Sequence, residues 1–348
     1  MSEVAVSQLD LLCDNCGGQC AFDPQSQELA CLSCATHWPI LPDEDENPAE
    51  EFAFDPDRPQ DEPIDTIADR AFRCQTCGGE VIFSGAALSS QCPYCDGTVV
   101  MGELDEAFET MALIPFAVKE DFAKTRVSEW VKRRLAAPND LSEFTSKGRI
   151  AGLYAPFWTF DSQEAVQYWA SYSVKSGKRR TRRHTSGRFR MEFDDLLVPA
   201  SHHVTPLIRD GILHEFRPDK LRPYMPAYLA GLAAERHHMT VAEGLQANAK
   251  DKDLLIRNRI KQHVGRSSTK VKRYLTDTTG IKYRRILLPV WILHYDYKGD
   301  AKKVVVSGID GRTFGERPFS MWKLAAYSAA ITAATMAFGI FWGMGAAI

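Results

Sequence analysis

The chain has 348 residues and a net charge of −3, with 45% hydrophobic and 25% charged residues. Those values fit two or three globular domains and exclude wholesale disorder, a collagen-like fibre and a disulfide-dense mini-protein. The near-neutral total conceals a split: residues 1–103 hold 20 acidic side chains against three basic ones, a balance of −17, and residues 104–348 hold 25 against 39, a balance of +14. Halves of opposite charge attract each other or select different partners.

No basic segment followed by an apolar run opens the chain, so no secretory signal is expected. Eight of the nine cysteines then form two copies of one pattern. Cys13-x2-Cys16-x14-Cys31-x2-Cys34 is followed, 61 residues on, by Cys74-x2-Cys77-x14-Cys92-x2-Cys95. The Cys-Gly-Gly triplets at Cys16 and Cys77 and the aromatic pair Phe22 and Phe83 share that offset. A two-residue gap brings two thiolates to one tetrahedral ion, and glycine after the second cysteine relieves the turn. Each set of four predicts a zinc ribbon, hence two structural Zn2+ ions per chain. A closed four-thiolate site has no open position for catalysis and supplies on the order of 10–16 kcal/mol to a unit too small for a core of its own. Cys20 aligns with Val81 in the other copy, so it reads as a small buried apolar residue.

Residues 42–65 hold 11 acidic side chains, five prolines and one arginine, the composition of an extended tether. Phe52 and Phe54 inside it read either as a docking motif or as part of a solvated linker. After Glu103 the pattern is α+β. A helix is expected over 119–135, with Phe122, Ala123, Val127, Trp130 and Val131 on one side, and a strand over 151–160. Two strands over 164–175 and 188–198 flank a basic tip. Thr240-x-x-Glu243 is a capping box opening a helix to about Val264, and strands at 286–297 and 303–309 precede an Asp310-Gly311 turn.

The order of landmarks resembles a family of bacterial zinc-ribbon membrane proteins. They read Ile114-Pro115-Phe116, Gly152-Leu153-Tyr154-Ala155-Pro156-Phe157-Trp158, Leu197-Val198-Pro199-Ala200-Ser201, Tyr228-Leu229-Ala230-Gly231 and Leu287-Leu288-Pro289-Val290-Trp291. Members of that family are called transcription-factor-IIB-type or primosomal-protein-like ribbons, and some are similar to the zinc-ribbon partner of phage-shock and stomatin/flotillin-like (SPFH) scaffolds. The resemblance implies a role in envelope stress and an SPFH scaffold as protein partner. The family's Asn-Gly-Gln-Thr-Gly is replaced here by Ser307-Gly308-Ile309-Asp310-Gly311.

No GxxxxGK[ST] loop, GxSxG elbow, HExxH helix or dinucleotide fingerprint occurs, so no enzyme is expected. His202-His203 and His237-His238 read as surface or loop histidines, and Ser201 lacks a nucleophile context. Eight basic residues crowd one stretch: Lys175, Lys178, Arg179, Arg180, Arg182, Arg183, Arg188 and Arg190. A second stretch, 266–285, holds seven against Asp277 alone. These stretches suit anionic lipid, nucleic-acid phosphates or the chain's own acidic linker.

Residues 324–348 carry no charge. A helix of that length reaches roughly 37 Å, against roughly 30 Å of hydrocarbon. Trp322 and Trp342 would mark the interfaces, and the basic residues before the run would hold residues 1–323 in the cytoplasm. Within the run, Ala325, Ala329, Ala333 and Ala337 form a stripe, and Gly339 and Gly343 a GxxxG step displaced around the helix from it, both suited to packing against a second copy or another span.

The expected chain is thus α+β: a zinc ribbon over 1–41, an acidic linker over 42–68, a second ribbon over 69–103, a mixed body with antiparallel strands over 104–318, and a C-terminal transmembrane anchor over 319–348. The matching function is a non-enzymatic, membrane-anchored cytoplasmic adaptor. A nucleic-acid-binding zinc-ribbon protein of replication or transcription is the alternative.

Overall fold

The computed structural model describes residues 11–41, 47, 50–57, 71–83, 91–101, 110–176, 179–212 and 216–345. Lys178 and most of the acidic linker lie outside them. In chain order the elements are β1 (Cys20–Asp23), β2 (Glu28–Cys31), β3 (His37–Pro39), β4 (Phe52–Ala53), β5 (Ala71–Cys74), β6 (Glu80–Phe83), β7 (Val99–Met101), β8 (Ala112–Leu113), α1 (Glu120–Lys132) and α2 (Leu141–Ser146). They continue with β9 (Arg149–Ser176), β10 (Arg179–Pro199), α3 (Pro206–Ile212), β11 (Arg222–Pro223), β12 (Ala233–Ala234), α4 (Val241–Val264), β13 (Lys270–Tyr297), β14 (Asp300–Ser307), β15 (Thr313–Gly315) and α5 (Met321–Gly345).

β1–β3 form a small antiparallel sheet of their own. All other strands join one sheet built on β13 and β9, with β10 outside β9, and β14 and β4 on the far edge of β13. The second ribbon enters this sheet, because β6 pairs with β12 and β12 runs parallel to β9. β9 and β13 each span 28 residues, roughly 90 Å at about 3.3 Å per residue. Their inner halves are apolar on both faces and fill the body. Their outer halves alternate, and with β10 they project as a three-stranded arm.

The landmark segments pack the body. Tyr154, Phe157, Trp158, Phe116 and Ile286 are essentially inaccessible. The Tyr154 hydroxyl accepts from the Phe116 N–H (3.3 Å) and donates to the Tyr228 carbonyl (3.2 Å), spanning three landmarks. A Cβ on Gly152 would come within 2.6 Å of Leu232 and 2.9 Å of Trp291, so only glycine lets those side chains close over β9.

α4 starts at the expected capping box, with the Thr240 hydroxyl accepting from the Glu243 N–H and Glu243 reaching back to the Thr240 N–H, and ends on Gly265 at φ 66°. Ile256 and Ile260 pack on Val166, Tyr168 and Phe193, so α4 covers one face of the arm. On that face Glu164 is buried and satisfied by Lys252, Ser162, Thr276 and Thr278. In α1 the buried side is Ala123, Val127, Trp130 and Val131, whereas Phe122 is half exposed.

Two expectations about the strands change. The basic residues of 179–190 lie within β10, not on a loop, and residues 270–285 lie within β13. The β13–β14 hairpin turns on Lys298 and Gly299, both at positive φ, the conformation of a two-residue hairpin turn.

The membrane anchor is corrected. Among the described residues no helix is long and apolar enough to cross a membrane. α5 has the length, but seven of its residues are alanine and Ser328, Thr332 and Thr335 interrupt the run. Alanine buries little apolar area, so the segment lacks the hydrophobicity that its freedom from charge suggested. The single-pass, tail-anchored placement, the cytoplasm-facing orientation and the lipid-packing role of the Ala325, Ala329, Ala333 and Ala337 stripe and of the Gly339 and Gly343 step fall with it. What remains is a helix joined to the body at its base, where Lys323 Nζ donates to the Ala137 carbonyl (2.7 Å) and Tyr327 Oη to that of Leu135 (3.3 Å).

Candidate metal centres and the surfaces around them

Each cysteine quartet converges on one point. In the first, Sγ atoms of Cys13 and Cys34, and of Cys16 and Cys31, lie 3.5 Å apart. In the second, Cys74 and Cys95 are 3.5 Å apart and Cys77 and Cys92 3.8 Å. All four sulfurs of a set fall within 4.8 Å of one another. A tetrahedron with Zn–S bonds of 2.3 Å has an edge of about 3.8 Å, so both donor sets are compatible with one zinc ion each.

The knuckle geometry explains the sequence repeat. The residue after the second cysteine of every pair is left-handed: Gly17 (φ 70°), Ala35 (56°), Gly78 (74°) and Asp96 (66°). Backbone N–H groups of each knuckle also point toward sulfur. Cys16 N–H points to Cys13 Sγ, Cys34 N–H to Cys31 Sγ, Thr76 N–H to Cys74 Sγ and Gly97 N–H to Cys95 Sγ, all at 3.4 Å. Such donors favour the thiolate. Cys34 is drawn down to about 5, first by the Thr36 hydroxyl. Cys20 is buried beside the first quartet and outside it; burial, then Cys31, push its thiol up to about 11.

The two ribbons are held differently. The first touches the body at its β1–β2 end, where Phe22 N–H donates to the Ala230 carbonyl (2.9 Å) and Lys119 pairs with Asp23 (2.9 Å). Its Cys16 and Cys34 are exposed. The second is fastened through the backbone of its knuckles. His294 Nε2 donates to the Pro93 carbonyl (2.8 Å), Arg149 to that of Cys92 (3.1 Å) and His203 Nε2 to that of Cys77 (3.0 Å).

Behind that knuckle sits a buried network that the sequence did not announce. Glu235, 2% exposed, accepts from Tyr94 Oη, from Ser201 Oγ (2.7 Å) and from His203 Nδ1 (3.1 Å). Glu235 raises the pKa of His203. Both His203 nitrogens thus face acceptors, so the ring acts as a doubly donating brace. Ser201 and His203 resemble a nucleophile and base in type only, since Nε2 is committed to the Cys77 carbonyl. His237, read as a surface residue, is fully buried, and burial drives its pKa down to about 3.

The linker supplies a third cluster. β4 pairs with Lys282–Tyr283 of β13, Phe54 N–H donates to the Ile281 carbonyl (2.9 Å), and Phe52 lies against Tyr283. The docking alternative for Phe52 and Phe54 therefore describes a contact within the chain. Glu51 pairs with Lys282 (2.9 Å) and Arg284 (3.5 Å), and Arg284 also binds Asp195. Carboxylates of Glu51, Asp161 and Asp195 come within 4.8 Å of one another, but two cations already face them.

The basic arm has two unlike faces. Tyr168, Phe189 and Tyr274 point to α4, where Phe189 stacks on His263 and Tyr274 Oη donates to Asp253 (2.7 Å). The alternate residues Arg182, Arg188 and Arg190 share the opposite, exposed face with Trp169. There Arg273, opposite Trp169 on β13, lies 4.2 Å from the indole centroid. Arg180 follows the same alternation, while Arg179 and Arg183 belong to the α4 side, and Lys175 is exposed near the tip.

No family profile matches the chain, and no solved structure does. It is similar to "Uncharacterized protein YdjG" of Bacillus subtilis (strain 168), with 26% identity over 343 residues that cover 93% of this chain and 94% of that protein.

Proposed function

We propose that this protein is a non-enzymatic adaptor in which two zinc ions brace a rigid α+β platform and α5 holds a protein partner. The supporting observation is the state of α5. Along it Trp322 is 88% exposed and Ile331 and Met336 are 63–65% exposed. Apolar surface on that scale, unshared with the rest of the fold, marks a contact site for another protein. The Ala325-Ala329-Ala333-Ala337 stripe lets a second helix approach closely, since interaxial distance follows side-chain size. The landmark resemblance names a stomatin-like SPFH scaffold as partner, and a second copy is the homo-oligomeric counterpart. Affinity capture with the full chain and with α5 deleted tests the reading. Recovery of a helical partner by the full chain alone is expected, and Ala333→Ile should weaken it while Phe338→Ala changes it less. Equal capture by both chains would defeat the assignment.

A second reading, nucleic-acid binding, is favoured by one observation. The Trp169–Arg273 stack lies on the same open sheet face as Arg182, Arg188 and Arg190. A guanidinium over an indole is a platform for an unpaired base, and the flanking arginines suit phosphates. Phe189, the aromatic residue within the basic stretch 175–190, faces α4 instead. Salt-titrated binding of single-stranded oligonucleotides decides it: removing Arg188 and Arg190 should reduce the slope of log K against log salt by about 1.4.

A further inference from the structure

Where the C-terminal end of α1 meets the turn before β15, a cleft of 560 Å³ opens between Arg126, Arg133, Arg134 and Arg312, with Trp130 on its wall. Two acids share the lining, and both are engaged. Glu129 accepts from Arg126 (2.7 Å), and Asp310 faces Arg312 (3.6 Å). Arg133 and Arg134 have no acidic partner among the described residues. The buried Nε of Arg134 makes no hydrogen bond. Arg317 comes in beside them: the guanidinium carbons of Arg134 and Arg317 lie 5.0 and 5.9 Å from the Trp130 ring centroid. Burial, then Arg317, lower the pKa of Arg134.

Basic residues in a last helical turn have an ordinary role, since the helix dipole favours cations there. That accounts for Lys132 and Arg133. It does not account for Arg312, which reaches the cleft from a different segment, or for Arg317, which comes from that segment onto the Trp130 ring. A buried guanidinium donor left unmade beside a second guanidinium is costly, and one anion with several oxygens relieves both defects. Arginine's planar fork matches phosphate oxygens in particular.

We propose that this cleft is a binding site for a phosphate group, carried either by a free small molecule or by a lipid headgroup. Its place in the fold gives it a use. The cleft wall continues through Arg134 to Ala136 and Ala137, whose carbonyls hold Ser320 N–H (2.9 Å) and Lys323 Nζ (2.7 Å) at the base of α5. An anion that fixes Arg134 and Arg317 also stiffens the root of that helix.

The test uses the full chain loaded with zinc. Thermal unfolding is followed with inorganic phosphate at constant ionic strength, chloride serving as the control. Co-sedimentation is measured with phosphatidylglycerol vesicles and with phosphatidylcholine vesicles. Stabilisation by phosphate over chloride identifies a free phosphate ligand, and selective sedimentation with phosphatidylglycerol identifies a headgroup. In either case Arg134→Gln and, separately, Arg133→Gln should weaken the response at least fivefold. Arg188→Gln, on the distant arm, should not, and Glu129→Gln should strengthen it by freeing Arg126. Equal responses to phosphate and chloride together with no vesicle preference would overturn the proposal. A response lost in Arg188→Gln but kept in both cleft variants would do the same.

Discussion

Cysteine position, not cysteine content, separates ligands from bystanders. Cys20 lies beside the first quartet yet outside its tetrahedron, so Cys20→Ala should leave two zinc ions per chain by elemental analysis. Cys92→Ser should leave one, and a zinc content unchanged by that substitution would refute the second site. The brace behind Cys77 adds a finer expectation. Partners that orient a metal ligand typically contribute 10–100-fold to metal affinity. His203→Ala removes the donor on the Cys77 carbonyl and leaves Glu235 short of one partner. It should speed zinc loss from the second ribbon about tenfold while the first keeps its rate, and an equal effect on both ribbons would make the change one of general stability.

At the level of elements, the acidic linker is a strap on β13, and its fastening senses pH. Burial, and then Glu51, raise Asp161 from an ordinary 3.8 to about 7, with Asp194 adding repulsion and Arg284 opposing it. Glu51 is raised by burial, but Lys282, Asp161 and Arg284 lower it more. The two signs differ. A carboxyl whose folded pKa is raised binds its proton more tightly when folded, so its contribution is full below about 4 and is lost as pH rises through 7. Glu51 contributes above its unfolded pKa and is lost only in acid. Of these two carboxyls only Asp161 changes from pH 6 to 8, and its ionisation places a second charge against Glu51. The protection factor of the Phe54 amide should therefore fall over that range and stay flat in Asp161→Asn; parallel falls in both proteins would remove Asp161 as the cause.

For the whole molecule, one sheet unites the second ribbon with the body, whereas the first ribbon is attached at one end. Local opening follows local burial and bonding. Cys16 and Cys34 are exposed, while their counterparts Cys77 and Cys95 in the second ribbon are only partly so. A chelator should therefore remove zinc in two phases. The fast phase should disrupt only β1–β3, and the slow one should also release β6 from β12. Simultaneous loss of both ions would show that the ribbons open as one unit.

What the sequence determined by itself was local chemistry. Paired cysteines two residues apart, glycine after the second, and Thr240-x-x-Glu243 encode structures whose partners lie within a few residues, so spacing alone specified the metal centres and the start of α4. Alternation over 164–175 and 188–198 likewise disclosed strands. Their joint extent was obscured because the inner halves of β9 and β13 are apolar on both faces and lose the two-residue period. Only the tertiary structure decided which charges meet. Glu235 joins Tyr94, Ser201 and His203 from three segments, Glu51 crosses more than 200 residues to Lys282, and Arg317 reaches the Trp130 wall of α1. It also separated Phe189 from Trp169 by putting α4 on one face of the arm. After Lys323 the absence of charge in α5 was legible, but a helix crosses hydrocarbon by the apolar area it carries, and alanine supplies little. Side-chain period is written in the chain, whereas long-range neighbours follow from how a twisted sheet brings distant segments together.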